Sequence, residues 1–248
     1  MTLASAPIFA AGVLALSCSA TADLIQIGAA RDNTLFFDAA GAVSNGVGSG
    51  FFTGANSAGA VRRGVIAFDI AAAIPAGSLI TGATLILHNG GAQSAPIAMD
   101  LQRLLANWGE GTSNSGASGG SGAPSTPGDA TWIHTFYPGA FWANPGGDFA
   151  PAVSASQFVA GAGSYSWSSA AMVADIQSWL TAPATNFGWI VRGGEATLSS
   201  AKRFDSREST TASFRPVLEV TYTVPAPGAV SCLGVGLLAL ACRRRQRP

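Results

Sequence analysis

The highest density of charge in the sequence lies in residues 201–208, which read AKRFDSRE. Charged residues make up only 10% of the chain, yet this short stretch contains Lys202, Arg203, Asp205, Arg207 and Glu208. Charges placed so close together are typical of three kinds of site: an acid–base catalytic centre, a binding edge for an acidic ligand, and a structural ion-pair network.

Strand alternation separates these charges onto two faces. If Phe204 faces the core, its side of the strand also carries Lys202, Ser206 and Glu208. The opposite side has charges of alternating sign, from Arg203, Asp205 and Arg207. We expect this outer row to pair with Asp69 or Glu219 on neighbouring strands, because opposite charges that face each other across a sheet attract.

Glu208 needs a partner of its own, because an isolated carboxylate is costly to bury. Arg215 or Arg63 could supply a bidentate one. The favoured interpretation is a structural ion network formed by Arg63, Asp69, Asp205, Glu208 and Arg215. The first alternative is contact with an acidic polysaccharide through Lys202, Arg203 and Arg207, and catalysis ranks third.

A second candidate site is the aromatic-rich segment 132–142, which reads WIHTFYPGAFW. Flat aromatic faces stack on the apolar C–H faces of sugars. A carbohydrate-binding platform is therefore one hypothesis, with Trp132, Tyr137 and Trp142 as its rings. Glycine and proline turns lie next to Tyr137 and Trp142, which we expect to be the most exposed of the three. The favoured alternative is that these rings cover one end of the hydrophobic core.

Patterns for catalysis are incomplete. Glycoside hydrolysis needs two carboxylates about 5–10 Å apart, and the plausible pool, which has no supporting motif, is Glu110, Asp129, Glu195 and Glu208. The only two histidines, His88 and His134, lack zinc spacing and any Ser/His/Asp signature. A lyase using His134, Tyr137 and an arginine would rest on residues that any domain could supply. We therefore predict a protein without catalytic activity and without a required cofactor.

A structural calcium ion is compatible with the oxygen ligands available in the loops. The candidates are Asp32, Asn33, Asp38 and Asp148, which would act together with loop carbonyls. No loop has a complete ligand pattern.

Short strand-like segments separated by Gly, Pro, Ser and Asn dominate the middle of the chain. The clearest are Arg62–Ile70, Ala83–His88, Ile97–Leu105, Gly188–Arg192 and Val217–Thr223.

One segment, about residues 169–181, has helical spacing instead, with Ser168 or Ser169 as N-cap and Pro183 closing it. Its apolar face consists of Met172, Ile176, Trp179 and Leu180. The pattern predicts an all-β fold, an antiparallel β-sandwich or jelly roll with one short packed helix. Low-complexity residues 114–128 are expected to form a long surface loop.

The two ends of the chain read as targeting segments around a single domain. Residues 1–22 combine an apolar run with small residues suited to cleavage, which predicts a signal peptide. A weaker alternative is a lipoprotein signal through Cys18. Residues 23–223 form the predicted β-sandwich domain, and residues 224–248 form a tail. This domain contains no cysteine, so neither a disulfide framework nor a cysteine metal site is expected.

The tail has a proline pair, a short apolar segment and an arginine cluster, in that order. The marker residues are Pro225, Pro227, Arg243, Arg244 and Arg245. This arrangement resembles the PEP-CTERM sorting signal of bacteria, with Ala226 in place of the glutamate between the prolines. The resemblance implies export, recognition by an exosortase, transient membrane association, removal of the tail, and delivery to the cell envelope or extracellular matrix. The alternative is a C-terminal membrane anchor. Loss of the tail's four arginines would leave a mildly acidic domain, which argues against a nucleic-acid partner.

The order of motifs across residues 30–223 resembles the DNRLRE family of secreted bacterial domains, which is related to an alginate-binding family of carbohydrate-binding modules. The matching stretches are residues 32–35 (DNTL), 62–63 (RR), 68–69 (FD), 74–77 (IPAG), 84–87 (TLIL), 108–111 (WGEG), 177–180 (QSWL), 186–189 (NFGW), 203–208 (RFDSRE) and 215–218 (RPVL). The resemblance implies a non-catalytic β-sandwich, often part of surface or polysaccharide-related proteins. The sequence therefore predicts an exported matrix or adhesion component that has polysaccharide as a candidate ligand. The alternatives are a purely structural envelope protein and, less favoured, a polysaccharide-degrading enzyme.

Overall fold

A computed structural model describes residues 21–91, 95–116 and 119–225, and β-strands dominate it. The strands are β1 (Ala22–Phe36), β2 (Val43–Ser44), β3 (Gly50–Ala55), β4 (Val61–Phe68), β5 (Leu79–Asn89), β6 (Ile97–Leu104), β7 (Ala123–Pro124), β8 (His134–Phe136), β9 (Ala140–Phe141), β10 (Phe149–Val159), β11 (Gly163–Trp167), β12 (Trp189–Arg192), β13 (Lys202–Asp205) and β14 (Val217–Thr223). The helices are α1 (Ile70–Ala73) and α2 (Ala170–Thr181), with short 3-10 turns at Pro183–Thr185 and Ala212–Phe214. The expected all-β class with one main helix is confirmed.

The strands form two antiparallel layers that share β1. The first layer has the order β1–β14–β5–β11, and the second has the order β1–β4–β12–β6–β10. The first half of β1 pairs with β14 and its second half pairs with β4, with a bulge between Ala29 and Arg31 where the strand changes layers. Strands β3 and β13 pair with each other and link β4 to β5.

Helix α2 lies where the spacing of apolar residues predicts it. Its N-cap is Ser169, whose side chain accepts a hydrogen bond from the backbone N–H of Met172 at 3.0 Å. This satisfies one of the amide groups that a helix start leaves without an intrahelical partner. The buried residues are the four expected ones, Met172, Ile176, Trp179 and Leu180, and they pack into the main core between the layers.

A second core lies on the outer side of β4. Ile66 and Phe68 of β4 face the main core, whereas Val65 and Ala67 face the second one. The second core consists of Leu35, Val65, Ala67, Leu104, Trp108, Ala130, Trp132, Trp142 and Ile190. Both faces of β4 are therefore buried, because loop residues between β6 and β10 fold over the outer surface of the second layer.

The domain boundaries lie close to the ends of the paired strands. Residues Ala22–Val224 form one compact unit, in which Ala22 of β1 pairs with Thr223 of β14. Most of the predicted signal peptide and most of the tail, including Pro227 and Arg243–Arg245, lie outside the described residues. In the described ranges, no helix is both long and apolar enough to cross a membrane.

Part of the expected surface loop is ordered against the sheet. Strand β7 pairs with β2, placing Pro124 opposite Val43. The guanidinium of Arg62 donates to the carbonyl of Gly120 through Nε and Nη2, at 3.0 and 2.6 Å. These contacts tie the loop to the start of β4.

Candidate functional site

The predicted face of Lys202 is confirmed, but its proposed binding role conflicts with its burial. Lys202 and Phe204 both point inward from β13, and Lys202 is only 1% exposed. Its ammonium donates to the carbonyl oxygens of Ala95 and Ala160, both at 2.8 Å. Burial lowers the pKa of Lys202. Lys202 therefore supports the fold from inside and does not form part of a polysaccharide-binding surface.

The outer row of β13 makes ion pairs, though with different partners from those expected. Arg203 donates to Asp205 at 3.0 Å and to the carbonyl of Ser49 at 2.9 Å. The other carboxylate oxygen of Asp205 lies 2.7 Å from Nδ1 of His88, whose ring stacks on Phe214 with centroids 3.7 Å apart.

Neither Asp69 nor Glu219 takes part in this row. Asp69 accepts from the N–H of Ala72 at 3.2 Å and caps α1, because the chain leaves the strand after Phe68 rather than after Ile70. Glu219 accepts from Gln26 at 2.8 Å. The single network predicted from Arg63, Asp69, Asp205, Glu208 and Arg215 is therefore wrong.

Glu110 is the central partner of Arg207. Nε and Nη2 of Arg207 donate to Oε1 and Oε2 of Glu110 at 2.7 and 2.6 Å. Oε1 of Glu110 also accepts the N–H of Asp32 at 2.9 Å, and a carboxylate oxygen of Asp32 accepts the N–H of Arg207 at 2.8 Å. We call Asp32, Glu110, Arg207 and Glu208 the Arg207 cluster.

Glu208 belongs to the same cluster. Its Oε1 lies 2.8 Å from Nε of Arg207, so the expected partners Arg215 and Arg63 are both wrong. Arg215 is exposed and donates to the carbonyl of Ser209 at 2.8 Å. Arg63 on β4 pairs with Glu195 instead. The turn after β13 lets the Glu208 side chain bend back to its sequence neighbour.

Proton affinities in the Arg207 cluster follow from burial and from crowded negative charge. Burial raises the pKa of Asp32 well above its ordinary value of 3.8, against the effect of the Arg207 N–H and with the help of the charges on Glu208 and Glu110. Burial, followed by the charge of Glu110, also raises the pKa of Glu208. Hydrogen bonding to Glu110 raises the pKa of Arg207. The cluster is thus a charge-assisted cross-link between three chain segments.

The sequence contained a signal for this cross-link. Glu110 lies between Gly109 and Gly111, and an added Cβ at these glycines would overlap the carbonyl oxygen of Gly128 and the carboxylate of Asp129, respectively. Gly111 also has a positive φ of 69°, a conformation that glycine adopts without strain. A charged residue between two glycines thus marks a tightly packed loop that turns its carboxylate toward the body of the protein.

A second charged group covers the outer face of β4 and β12. Nε and Nη2 of Arg63 donate to the two oxygens of Glu195 at 2.8 and 3.0 Å, and Nε of Arg192 donates to Glu195 at 3.1 Å. Burial acts to raise the pKa of Glu195, but the hydrogen bonds from Arg63 and Arg192 outweigh it and the pKa is lowered. The Arg63 guanidinium lies 4.8 Å from the ring centre of Trp132, and that of Arg192 lies 4.5 Å from the ring centre of Phe149. Cation–π contacts and the ion pairs therefore hold Trp132 in place.

The expected platform of Trp132, Tyr137 and Trp142 is not assembled at the surface. Trp132 is 8% exposed and Trp142 is 5% exposed, and the indole N–H of Trp142 donates to the carbonyl of Thr131 at 2.9 Å. Both indoles belong to the second core, so the expectation that Trp142 is exposed is wrong. The favoured alternative, that the rings act as core residues, holds for the two tryptophans, although they cover the outer face of a layer and not the end of the main core.

The exposed rings of the same segment lie on the β8–β9 hairpin. Phe136 and Phe141 are 36% and 61% exposed, and Tyr137 is half-buried. The rings of Phe141 and Tyr137 contact that of His134, with centroid distances of 4.6 and 5.1 Å. Nδ1 of His134 lies 2.9 Å from the hydroxyl of Thr131, and burial lowers the pKa of His134. We call Tyr137 and Phe141 the hairpin rings.

The side chains of the candidate calcium ligands already accept hydrogen bonds from groups within the protein. The carboxylate of Asp38 accepts N–H groups of Ala40 and Ala42, and that of Asp148 accepts those of Ala143 and Asn144. The side-chain oxygen of Asn33 accepts bonds from Thr34, Ser44 and Asn45. Within residues 21–91, 95–116 and 119–225, no group of three or more His, Cys, Asp or Glu residues could hold a metal ion. Asp32 lies on β1 and belongs to the Arg207 cluster, so the four candidate residues serve separate contacts and do not share one site.

Comparisons with known proteins add no family to these observations. No protein-family model matches the chain, and a search of curated proteins finds no match. The resemblances to the DNRLRE family and to the PEP-CTERM signal therefore stay predictions from the motifs.

Proposed function

We propose that this protein is an exported, non-catalytic β-sandwich that works as a component of the cell surface or extracellular matrix and binds polysaccharide through the hairpin rings. Two observations support the proposal: the targeting features predicted at the two chain ends, and the hydrogen bonds and ion pairs that hold the acidic side chains of the domain. Delivery would use exosortase-type sorting of the residue 224–248 tail, with transient membrane association through its apolar segment.

The observation that carries the non-catalytic part is the engagement of the four candidate acids. Both oxygens of Glu110 accept from Arg207, and both oxygens of Glu195 accept from Arg63. Asp129 accepts from the N–H and hydroxyl of Thr126 at 2.6 and 3.1 Å. Glu208 is paired with Arg207 through Oε1 alone, and its buried Oε2 has no hydrogen-bond partner among the described residues. Hydrolysis of a glycoside needs one carboxyl group that delivers a proton and a second that attacks or activates water. Carboxylates held in this way are better suited to cross-linking loops.

One surface depression is lined by two acidic residues, Asp100 and Glu195, and it also argues against a hydrolase site. It has a volume of about 160 Å³ and is lined by Asp100, Arg192, Gly193, Gly194 and Glu195. Glu195 is held there by two arginines, so this depression lacks the free acid pair of a hydrolase. A small, shallow space of this kind is also below the usual size of a small-molecule site, about 300–1,000 Å³.

Polysaccharide contact is best supported at the hairpin rings. Phe141 is 61% exposed, and its ring centre lies 4.6 Å from that of His134. Tyr137 adds a second ring and a hydroxyl on the same support. An apolar ring next to a polar group is the usual combination for stacking on a sugar and orienting its hydroxyls. Arg203 and Arg207 are less suited to bind uronates. Nη1 and Nη2 of Arg203 already donate to Asp205 and Ser49, and Nε and Nη2 of Arg207 already donate to Glu110.

The test is a binding screen on the full chain in a mild detergent, with neutral and uronate-rich polysaccharides at two salt concentrations. We expect binding that depends weakly on salt, because ring stacking and not ion pairing supplies the contact. Phe141→Ala together with Tyr137→Ala should remove the binding. The matched control is Leu24→Ala, which removes an apolar side chain that is 65% exposed on β1, far along the chain from the hairpin.

Each outcome has a distinct meaning. Binding that survives the double substitution contradicts the hairpin site, and loss of uronate binding in Arg203→Ala would move the site to β13. Release of reducing ends or of unsaturated sugars during the screen would contradict the non-catalytic assignment. Absence of binding to every polymer would support the purely structural alternative.

A further inference from the structure

Strand β10 lies at the edge of the second layer. It pairs with β6 on one side, and among the described residues no strand pairs with its other side. An edge of this kind presents backbone N–H and C=O groups that can pair with a strand of another chain. Phe158, near the end of β10, is 67% exposed.

The two halves of β10 differ in how well they are protected. The first half contains Pro151 and two irregularities in its pairing with β6, between Phe149 and Val153 and between Val153 and Ala155. Proline and bulges both hinder the addition of another strand. The second half, Ala155–Val159, pairs regularly with Leu101–Ile97 of β6 and contains neither device.

The second half also lacks the charges that usually protect a strand edge. Strand β10 has the sequence FAPAVSASQFV and carries no ionisable side chain. Lysine or another charge on an edge strand opposes association with a copy of itself, because like charges would then face each other. Here two identical strands meet no electrostatic opposition.

A second copy of β10 can pair with this edge, because the strand has no charged side chain that would repel its own copy. Ala155 and Val159 face the main core, so Ser156 and Phe158 lie on the outer face. Antiparallel pairing of two copies about Gln157 places Phe158 opposite Ser156 of the second copy. The two Phe158 rings then occupy diagonal positions, about 7–8 Å apart at the backbone and within reach of each other. A two-fold axis uses the same patch on both subunits, as symmetric dimers do.

We propose that this protein associates with a second copy of itself through the β10 edges, Ala155–Val159, to form one continuous antiparallel layer across two subunits. A contact of five residues per chain buries little surface, so the association is weak and depends on concentration. Such an association suits a protein that is crowded at a surface. It does not depend on whether the hairpin rings bind polysaccharide.

The experiment is sedimentation velocity of the full chain in detergent at protein concentrations from micromolar to millimolar. We expect a reversible shift from monomer to dimer. Phe158→Lys and, separately, Ser156→Lys should raise the dissociation constant at least about tenfold, because each substitution enters the symmetric interface twice. Since both side chains point outward from β10, the circular dichroism spectrum should not change.

Two controls separate this edge from other sources of association. Leu198→Lys removes an apolar side chain that is 65% exposed and adds the same charge away from β10. It should leave the dissociation constant within about twofold. Ser164→Lys adds the same charge to β11, the edge strand of the first layer, and tests whether that edge forms the contact instead. It should weaken association less than the two β10 substitutions do. A monomer at every concentration, association unchanged in both β10 variants, or equal weakening by Leu198→Lys or Ser164→Lys would overturn the proposal.

Discussion

Arg207 binds Glu110 through two parallel hydrogen bonds of 2.7 and 2.6 Å across 97 residues of sequence. The pair joins the turn after β13 to the loop after β6, and Asp32 ties both to β1. Bidentate arginine–carboxylate pairs combine strength with a fixed geometry. The Arg207 cluster therefore sets how the loops over the second core are placed relative to the strands beneath them.

Replacing Arg207 by alanine should destabilise the fold by about 2 kcal/mol, because it leaves the carboxylates of Asp32, Glu110 and Glu208 close together without their shared cation. The loss is smaller than for a fully buried pair, since the Arg207 side chain is 39% exposed and solvent screens its charge. Chemical denaturation at pH 7 measures it. Arg215→Ala, which removes an exposed arginine of the same region, should cost less than about 0.5 kcal/mol. Equal losses in both variants would contradict the cross-link.

The buried carboxyl of Asp32 should make stability depend on pH. Because its pKa is raised in the folded state, the folded protein retains a proton that the unfolded chain releases above its ordinary value of 3.8. Stability therefore falls as the pH rises from that value through the folded-state pKa. Glu208 acts in the same direction, starting from 4.5. Glu195, whose pKa is lowered, acts in the opposite direction and loses its contribution in acid.

Asp32→Asn isolates the contribution of Asp32. The amide oxygen can still accept the N–H of Arg207, but no charge forms on it. We expect the variant to be more stable than the unmodified protein at pH 7 and the difference to shrink as the pH falls toward 3.5. Asp23→Asn removes the same charge from an exposed position of β1 and should leave the pH profile parallel to that of the unmodified protein. A constant difference for Asp32→Asn across the pH range would show that burial of the charge is not its cause.

Local periodicity was sufficient for some features. The helix with its buried face of Met172, Ile176, Trp179 and Leu180, and the inward side of Lys202 and Phe204, are as the sequence predicts. Such features depend on the 3.6-residue or 2-residue repeat of a single element. They do not depend on which distant segment packs against them.

Features that depend on contacts between distant segments were missed. Trp142 lies between turns, which suggested exposure, but it is buried because its segment folds over Val65 and Ala67 of β4. Strand alternation predicts a partner for Glu208 on another segment, whereas the turn after β13 brings its neighbour Arg207 to it. Alternation along β4 indicates two faces but cannot show that a loop covers the second. Pair contacts of this kind follow from the tertiary arrangement and leave little trace in local sequence.

Sorting of the tail predicts that the mature surface protein lacks Arg243–Arg247. Intact-mass measurement of the surface-associated form should find a chain that ends before the arginine cluster. Arg243→Ala, Arg244→Ala and Arg245→Ala together should leave the protein unprocessed in the membrane fraction, because in the proposed sorting the cluster is the part that would hold the tail on the cytoplasmic side. The matched control is Arg215→Ala, in the domain. A surface form with an intact arginine cluster would support the membrane-anchor alternative.

Trp142 and Phe141 are neighbours in sequence, but Trp142 is buried and Phe141 is exposed. Substitutions at the two positions can therefore distinguish an effect on stability from an effect on ligand binding. Trp142 is buried in the second core and donates to Thr131, so Trp142→Ala should lower the free energy of unfolding by about 3–5 kcal/mol. Phe141 is 61% exposed, and Phe141→Ala should cost less than about 1 kcal/mol. Polysaccharide affinity should follow the opposite order at a temperature where both variants are folded, with the larger loss in Phe141→Ala. If Trp142→Ala lost binding without losing stability, its ring and not that of Phe141 would contact the ligand.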